Sequence, residues 1–376
     1  MSHYSDVLIV GGGLAGLAAS LHLKKAGVKV TLVEKENYPH HKVCGEYVSN
    51  EVMPYLNWLG VDISSLETTI ITHLEVSTVN GNSIFAQLPL GGFGISRYQL
   101  DNFLYQQLIT QGIDVLIDTV DEVTYNKESF EISTSSGKKL VARQVIGAYG
   151  KRSLLDIKFN RPFIQKKSHY LAVKAHYTGS FPKNLVGLHH FKGGYCGVSK
   201  IENEQINICY LTEISSFKAF KNLETFEKEV LYKNTKLKQI FEKCEILFDK
   251  PLTISQVSFE RKSKVENHIL MIGDSAGLIH PLCGNGMAMA IHAAKIAAEL
   301  VIDFLNGKIS RVELENKYQK SWQQHFSARL NMGKVLSKLF MNKKTTNFLI
   351  YGLTKMPWLL KQIIKRTHGK KISIPN

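Results

Sequence analysis

Chemistry in this chain is concentrated in two glycine-rich segments that lie far apart. The first, Gly11-Gly12-Gly13-Leu14-Ala15-Gly16, follows the apolar run Asp6-Val7-Leu8-Ile9-Val10 and opens a helical stretch from Leu14 to Ala26. An apolar run, glycines and then helical periodicity describe a strand, a tight turn and a helix N-terminus. In that setting Gly11 permits the turn, Gly13 lets backbone approach a pyrophosphate, and Gly16 lets helix and strand pack closely. The helix start at Leu14 and Ala15 favours negative charge. Glu34 closes the next run, Lys29-Val30-Thr31-Leu32-Val33, at about the 20-residue interval expected of a ribose-binding acid. Its carboxylate accepts hydrogen bonds from ribose hydroxyls and repels a 2'-phosphate, so the site suits FAD or NAD better than NADP.

The second segment separates those two. His268-Ile269-Leu270-Met271-Ile272 reads as a strand, and Gly273-Asp274-Ser275-Ala276-Gly277 follows it. Asp274 there can hold ribitol hydroxyls. Next come His280-Pro281-Leu282-Cys283-Gly284-Asn285-Gly286-Met287, whose glycines free backbone N–H groups, and an Ala-rich helix reaching about Phe304. A simple NAD dehydrogenase has no use for this element, and the pair of segments points to bound FAD.

With these residues the chain resembles the FAD-dependent superfamily of aromatic hydroxylases, flavin halogenases and geranylgeranyl reductases, which share the p-hydroxybenzoate hydroxylase fold. The resemblance runs from about residue 5 to residue 305. Lys42-Val43-Cys44-Gly45-Glu46 looks like the Cys-Gly segment of the geranylgeranyl reductase branch, and Ser96-Arg97-Tyr98-Gln99-Leu100-Asp101 looks like the family's Arg-x-x-Leu-Asp helix start. Gly147-Ala148-Tyr149-Gly150 occupies the place of the Asp-Gly motif, with Tyr149 where the family has aspartate. The resemblance implies FAD contacts at Lys35, Cys44, Arg97, Val120, Gly150, Pro281, Gly284, Asn285, Gly286 and Met287, beside the glycine-turn residues, Glu34 and Asp274. Gly193-Gly194-Tyr195-Cys196-Gly197-Val198 matches only the glycine-tyrosine part of the reductases' Tyr-x-Trp-x-Phe-Pro motif. The halogenases' Trp-x-Trp-x-Ile-Pro hallmark is missing.

The elements that must position these groups form two interleaved lobes of an α/β (α+β) fold. A Rossmann-like FAD lobe with a parallel sheet is expected from residues 1–70, 95–155 and 255–305. A smaller antiparallel substrate lobe is expected from 71–94 and 156–254, and a basic helical region from 306–376. Val120 to Thr134 reads as a hairpin around Asn126-Lys127, and Asn80-Gly81 as a hairpin turn between Thr72 to Val79 and Ser83 to Leu90. Further strands are expected at Ser168 to Tyr177, Gly194 to Lys200 and Gln205 to Leu211.

Alternation sends Tyr170, Lys174 and His176 to one face, where Lys174 is either a pKa-shifted acid or base or simply solvated. His189, His190, Tyr195 and Tyr210 are further pocket candidates. Cys44, Glu46, Lys174 and Tyr195 form the candidate catalytic set, with Cys44 and Cys283 open to either a chemical or a packing role.

The 376 residues contain five scattered cysteines, which fit neither a disulfide framework nor a zinc site, and no metal is expected. No apolar run reaches the roughly 18 residues needed to span a bilayer, so the expectation is a cytoplasmic enzyme. The net charge of +15 is gathered in the tail: after Glu315 there is no Asp or Glu, while thirteen Lys or Arg follow. They alternate with apolar residues such as Leu336, Phe348, Leu360 and Ile364. Such a stretch either lies on an anionic membrane, at its inner face, or caps the substrate lobe. No nucleic-acid motif accompanies the charge, and the oligomeric state is open.

These features lead to an FAD-dependent oxidoreductase acting on a hydrophobic small molecule. The reading preferred is NADH- or NADPH-dependent hydroxylation of a phenolic, quinonoid or polyketide-like ring, with saturation of isoprenoid double bonds as the alternative. A non-catalytic prenyl-carrier of the same fold is the third, against which Gly11, Gly13, Gly16, Glu34 and Asp274 all argue.

Overall fold

The computed structural model describes residues 3–255, 257–340, 352 and 357–375. One sheet is built on parallel strands in the order Ile269–Met271, Lys139–Gly147, His3–Val10, Val30–Glu34 and Asp114–Ile117. Its central strands are unbroken apolar runs because both faces are covered, and Val7, Leu8 and Ile9 have no exposed surface. The helix Leu14–Lys25 packs against both Arg97–Thr110 and Gly286–Leu305. The hairpin Val120–Asn126 and Ser129–Thr134 joins this sheet through Lys139–Gly147, with Lys127 in the left-handed region at its turn.

The second sheet is mainly antiparallel, in the order Cys244–Ile246, Tyr170–Gly179, Ile206–Glu213, Gly194–Lys200, Leu185–Phe191, Thr69–Ser77, Ser83–Gly94 and Tyr47–Ser49. Leu252–Ser255 also pairs with Tyr170–Gly179. Period-two alternation divides its side chains between two cores. Ala172, Tyr195 and Leu211 join the main core, while Val173, Ala175, Cys196 and Ile208 meet Phe226, Leu237 and Phe241 in a second one.

Two sequence expectations change. Asn80-Gly81 lies in a connection spanning 78–82 rather than a two-residue turn, since Ser77 pairs with Ser83 and Thr78 N–H donates to the Asn82 carbonyl (2.8 Å). Tyr47–Ser49, assigned by sequence to the FAD lobe, pairs with Ser83–Gly94 in the other sheet. The approach depends on Gly92: a Cβ there would come within 2.5 Å of the Tyr47 ring. That dependence spans more than forty positions and has no local signal at residues 47–49.

The helix Arg311–Phe340 turns Leu314, Tyr318, Trp322 and Phe326 into the main core at four-residue spacing. The C-terminal helix Pro357–Thr367 packs on it and on Ser83–Gly94, burying Leu360 and Ile364, while Lys361, Lys365 and Arg366 are exposed. The apolar side of this helix thus faces the protein. Of the tail positions singled out by sequence, Phe348 and its neighbours through Tyr351 lie outside the described residues. No helix among the described residues is long and apolar enough to cross a membrane.

Candidate functional site

One cavity of about 1180 Å³ takes its lining from both sheets and from the C-terminal helix. Pockets for a single ligand typically measure roughly 300–1,000 Å³, so this one has room for a dinucleotide and a second molecule. Gly11, Gly13, Leu14, Ala15, Glu34, Lys35, Cys44, Arg97, Val120, Gly150, Asp274, Pro281, Gly284, Asn285, Gly286 and Met287 all line it. Gly16 alone among the expected cofactor residues does not. It sits one turn into the helix, where a side chain would overlap the Gly11 carbonyl.

The polar arm is built from two helix starts. Gly11 has φ +104°, and a Cβ there would lie 2.5 Å from the Ala148 carbonyl oxygen, so glycine alone fits. The helices Leu14–Lys25 and Gly286–Leu305 begin at Gly13 and Asn285 with no side-chain cap on their first amides, the arrangement that favours phosphate. Glu34 accepts from Gly12 N–H (2.5 Å) and Glu36 N–H (3.1 Å), which fixes its carboxylate at the edge of the turn. Arg97 donates Nε and Nη2 to Asp101 (2.6 and 2.7 Å), and Lys42 Nζ donates to the same carboxylate (2.9 Å). The clamp holds the guanidinium beside the glycine turn, with Nη2 3.6 Å from where a Gly13 Cβ would stand. Asn285 is buried, and its Oδ1 has no protein partner among the described residues. These groups fit FAD: amides and a fixed cation for the pyrophosphate, carboxylates for the sugar and ribitol hydroxyls.

Three cations organise the turn that carries Asp274. Lys262 Nζ donates to the carbonyls of Lys151 and Asp274 (2.8 Å each), Lys264 Nζ to that of Ala276 (2.7 Å), and Arg161 Nη2 to that of Ser275 (3.0 Å). Burial pulls Lys262 down to about 8, against the opposing charges of Asp274 and Asp156. Burial, with the Arg161 and Lys262 charges nearby, pulls Lys264 down to about 7.

Glu46 joins the lobes. Its carboxylate accepts from Lys174 Nζ (2.7 Å), Arg97 N–H (2.8 Å) and His176 Nε2 (2.7 Å), the Lys174 and His176 bonds lying fully inside the protein. Lys174 and His176 share a strand face, as alternation requires. Lys174 is nevertheless neither solvated nor part of the cavity wall: its side chain is fully buried and ion-paired, because a carboxylate at bonding distance is what allows an ammonium to stay in the interior. His41 lies edge-on to His176 (5.1 Å) under Phe248. Burial and the Lys174 charge bring it down to about 4.

Cys44 and Tyr195 both line the cavity. The segment bearing Cys44 is tied to the second sheet by Asn207 Nδ2, which donates to the Cys44 carbonyl (3.2 Å). Burial raises the Tyr195 phenol well above its ordinary value and pushes the Cys209 and Cys283 thiols, also in the wall, up to about 12. Tyr210 turns its hydroxyl to Glu227 (2.9 Å), and His189 Nδ1 meets Ser77 Oγ (2.9 Å); neither group reaches the Glu46 cluster. Tyr170 packs edge-on against Phe259 (5.4 Å).

Sequence reasoning did not single out Cys209, Asn207 or Thr367 for the site, whereas Leu360, Ile363 and Ile364 of the wall lie in the stretch for which capping of the substrate lobe was one of two expectations.

A model of the family described as FAD binding domain matches residues 4–328. Digeranylgeranylglycerophospholipid reductase of Methanosarcina mazei is 24% identical over 358 residues, covering 90% of this chain and 85% of the relative. Ubiquinone hydroxylase UbiM of Neisseria meningitidis is 24% identical over 406 residues, covering 98% and 86%. Among solved structures, a geranylgeranyl bacteriochlorophyll reductase-like protein from Thermoplasma acidophilum aligns with a TM-score of 0.78 at 19% identity, covering 97% of each chain. Its fold is therefore shared throughout. The chain belongs to the FAD binding domain family and is an FAD-dependent oxidoreductase.

Proposed function

We propose that the protein uses NADH or NADPH to hydroxylate a phenolic or quinonoid ring of a hydrophobic small molecule. The observation that carries this reading is a continuous cavity in which the dinucleotide cradle opens onto a compartment with aliphatic walls. Sequence likeness to a protein described as a ubiquinone hydroxylase supports it.

Bound FAD supplies a two-electron centre that accepts a hydride from a nicotinamide and passes reducing equivalents to oxygen or to an organic acceptor. The chain's own groups do the rest. Arg97, locked by Asp101, and the two uncapped helix starts hold negative charge. The aliphatic walls exclude water, which protects reactive species from side reactions. Tyr195 keeps its proton and can donate a hydrogen bond to an oxygen on the substrate ring.

The alternative, saturation of an isoprenoid double bond, is favoured by Cys44: its segment meets both the cavity and the Glu46 cluster, and a thiol there can deliver a proton.

The test is reduction of the FAD-loaded protein by NADH and by NADPH, followed by ¹⁸O₂ with and without a long-chain phenol. Oxygen uptake matched by product containing ¹⁸O supports hydroxylation. Reduced protein that converts a prenyl substrate without consuming oxygen establishes the alternative instead.

A further inference from the structure

The far end of the cavity differs chemically from the FAD cradle. Every lining residue contributed by the strands Thr69–Ser77, Ser83–Gly94 and Leu185–Phe191 is aliphatic, including Leu74, Val76, Ile84 and Leu88. The C-terminal helix faces them with Leu360 and Ile364, and Pro357–Thr367 packs directly on Ser83–Gly94. Among the described residues, no titratable or aromatic side chain from these strands, from Arg311–Phe340 or from Pro357–Thr367 enters the lining. A flat ring is best held by aromatic faces and edges or by hydrogen bonds. The strand walls offer neither, and on the helix the Thr367 hydroxyl is turned to the Ile364 carbonyl (3.0 Å), while the rings of Tyr47 and His368 line the cavity at the edge of this wall. The aliphatic walls offer dispersion contacts and removal from water, which suit a flexible chain of methylene or isoprene units.

The outer wall is fastened in place. Glu51, fully buried, accepts from Arg329 Nη1 (2.9 Å), from Gly369 N–H just beyond the helix and from Asn285 Nδ2 (3.4 Å). Asn285 Nδ2 also donates to the Thr367 carbonyl (3.2 Å), and the Ile372 N–H donates to the Glu51 carbonyl (2.8 Å). The C-terminal helix is thus pinned to a residue that lines the FAD cradle itself.

We propose that this aliphatic compartment is a binding site for the hydrocarbon tail of an amphiphilic substrate, with the C-terminal helix as its outer wall and Leu88 and Ile364 setting how long a tail it takes. The inference rests on the reading of the cavity as a substrate site and extends it to the substrate's class: a polar reacting head on an alkyl or polyprenyl chain.

Calorimetric titration of the FAD-loaded protein tests it, with no nicotinamide present, using a series of n-alkanols as tail-only probes and the matching 4-alkylphenols. Affinity is expected to rise about fourfold per methylene until the compartment is full. Ile364→Trp is expected to weaken binding of the longest chains at least tenfold and to leave the shortest phenol unchanged. Leu88→Trp is the second filling variant, and FAD content checks that each is folded.

Affinity independent of chain length would overturn the proposal, as would full affinity for long chains in both filled variants. If the alkanol series shows the length dependence while no alkylphenol is oxygenated, the tail site stands and the reaction proposed above falls. If short phenols are oxygenated with no length dependence, the reverse holds.

Discussion

Glu46 occupies the left-handed region at φ +53°, a conformation that costs a side-chain-bearing residue on the order of 1–3 kcal/mol. Its three hydrogen bonds offset that cost, and they also set its charge. Burial by itself raises a carboxyl pKa; here the Lys174 charge and the His176 bond outweigh it and hold Glu46 below its ordinary value. Because the folded value is depressed, the group contributes stability above its unfolded value of 4.5, and that contribution is lost as pH falls. Removing one partner of such a pair strands the other. Glu46→Gln is therefore expected to destabilise the protein by about 3–5 kcal/mol, since Lys174 would be left buried and unpaired. Adding Lys174→Met should recover most of the loss, which denaturant unfolding of the single and double variants would show. A single variant within about 0.5 kcal/mol of the parent would mean that water or another group already neutralises Lys174.

At the scale of elements, the segment 273–276 depends on cations that point at its carbonyls. Lys264 titrates near 7 in the folded protein against 10.5 for the free side chain. Between those values the unfolded chain binds a proton that the native state lacks, so stability rises with pH across that window, and the full cost of the buried charge is present below about 7. Lys262, near 8, acts in the same direction. The melting temperature, measured with FAD saturating, is therefore expected to rise between about pH 7 and 9, and Lys264→Met to flatten that rise. Equal slopes in parent and variant would show that Lys264 is not the source.

How legible these elements are depends on the range of the contacts that form them. The strand, turn and helix around Gly11 are local, as is the alternation that brings Lys174 and His176 to one face, and both were readable. Glu46 was readable as a motif residue, but two of its three partners lie 128 and 130 positions away and depend on how one lobe docks on the other. Tyr47–Ser49 was misassigned for the same reason: three residues carry no signal of the partner that Gly92 makes possible.

At the scale of the whole molecule, the C-terminal helix has two chemically distinct sides. Leu360 and Ile364 close the cavity, while Lys361, Lys365 and Arg366 are exposed, with Trp358 61% exposed beside them. The inward packing removes the apolar insertion that an amphipathic anchor needs, so attraction between this face and a membrane would be chiefly electrostatic. We propose that the basic face rests on an anionic bilayer, which would bring the wall of the tail compartment close to the lipid in which an amphiphilic substrate resides. Each basic residue near such a surface contributes about 1 kcal/mol. Reversing Lys361, Lys365 and Arg366 to Glu should therefore lower sedimentation with phosphatidylserine-containing vesicles by two orders of magnitude or more in affinity, with no change for phosphatidylcholine alone. Deleting the helix is a poorer test because it also opens the cavity, whereas the charge reversal leaves Leu360 and Ile364 in place, and retained FAD and retained alkanol binding would show that it has. Binding by the parent should fade as salt shortens the screening length. Parent and triple variant that sediment alike, or a parent that binds neither lipid, would rule out this face as the membrane contact and leave the helix as a wall of the cavity alone.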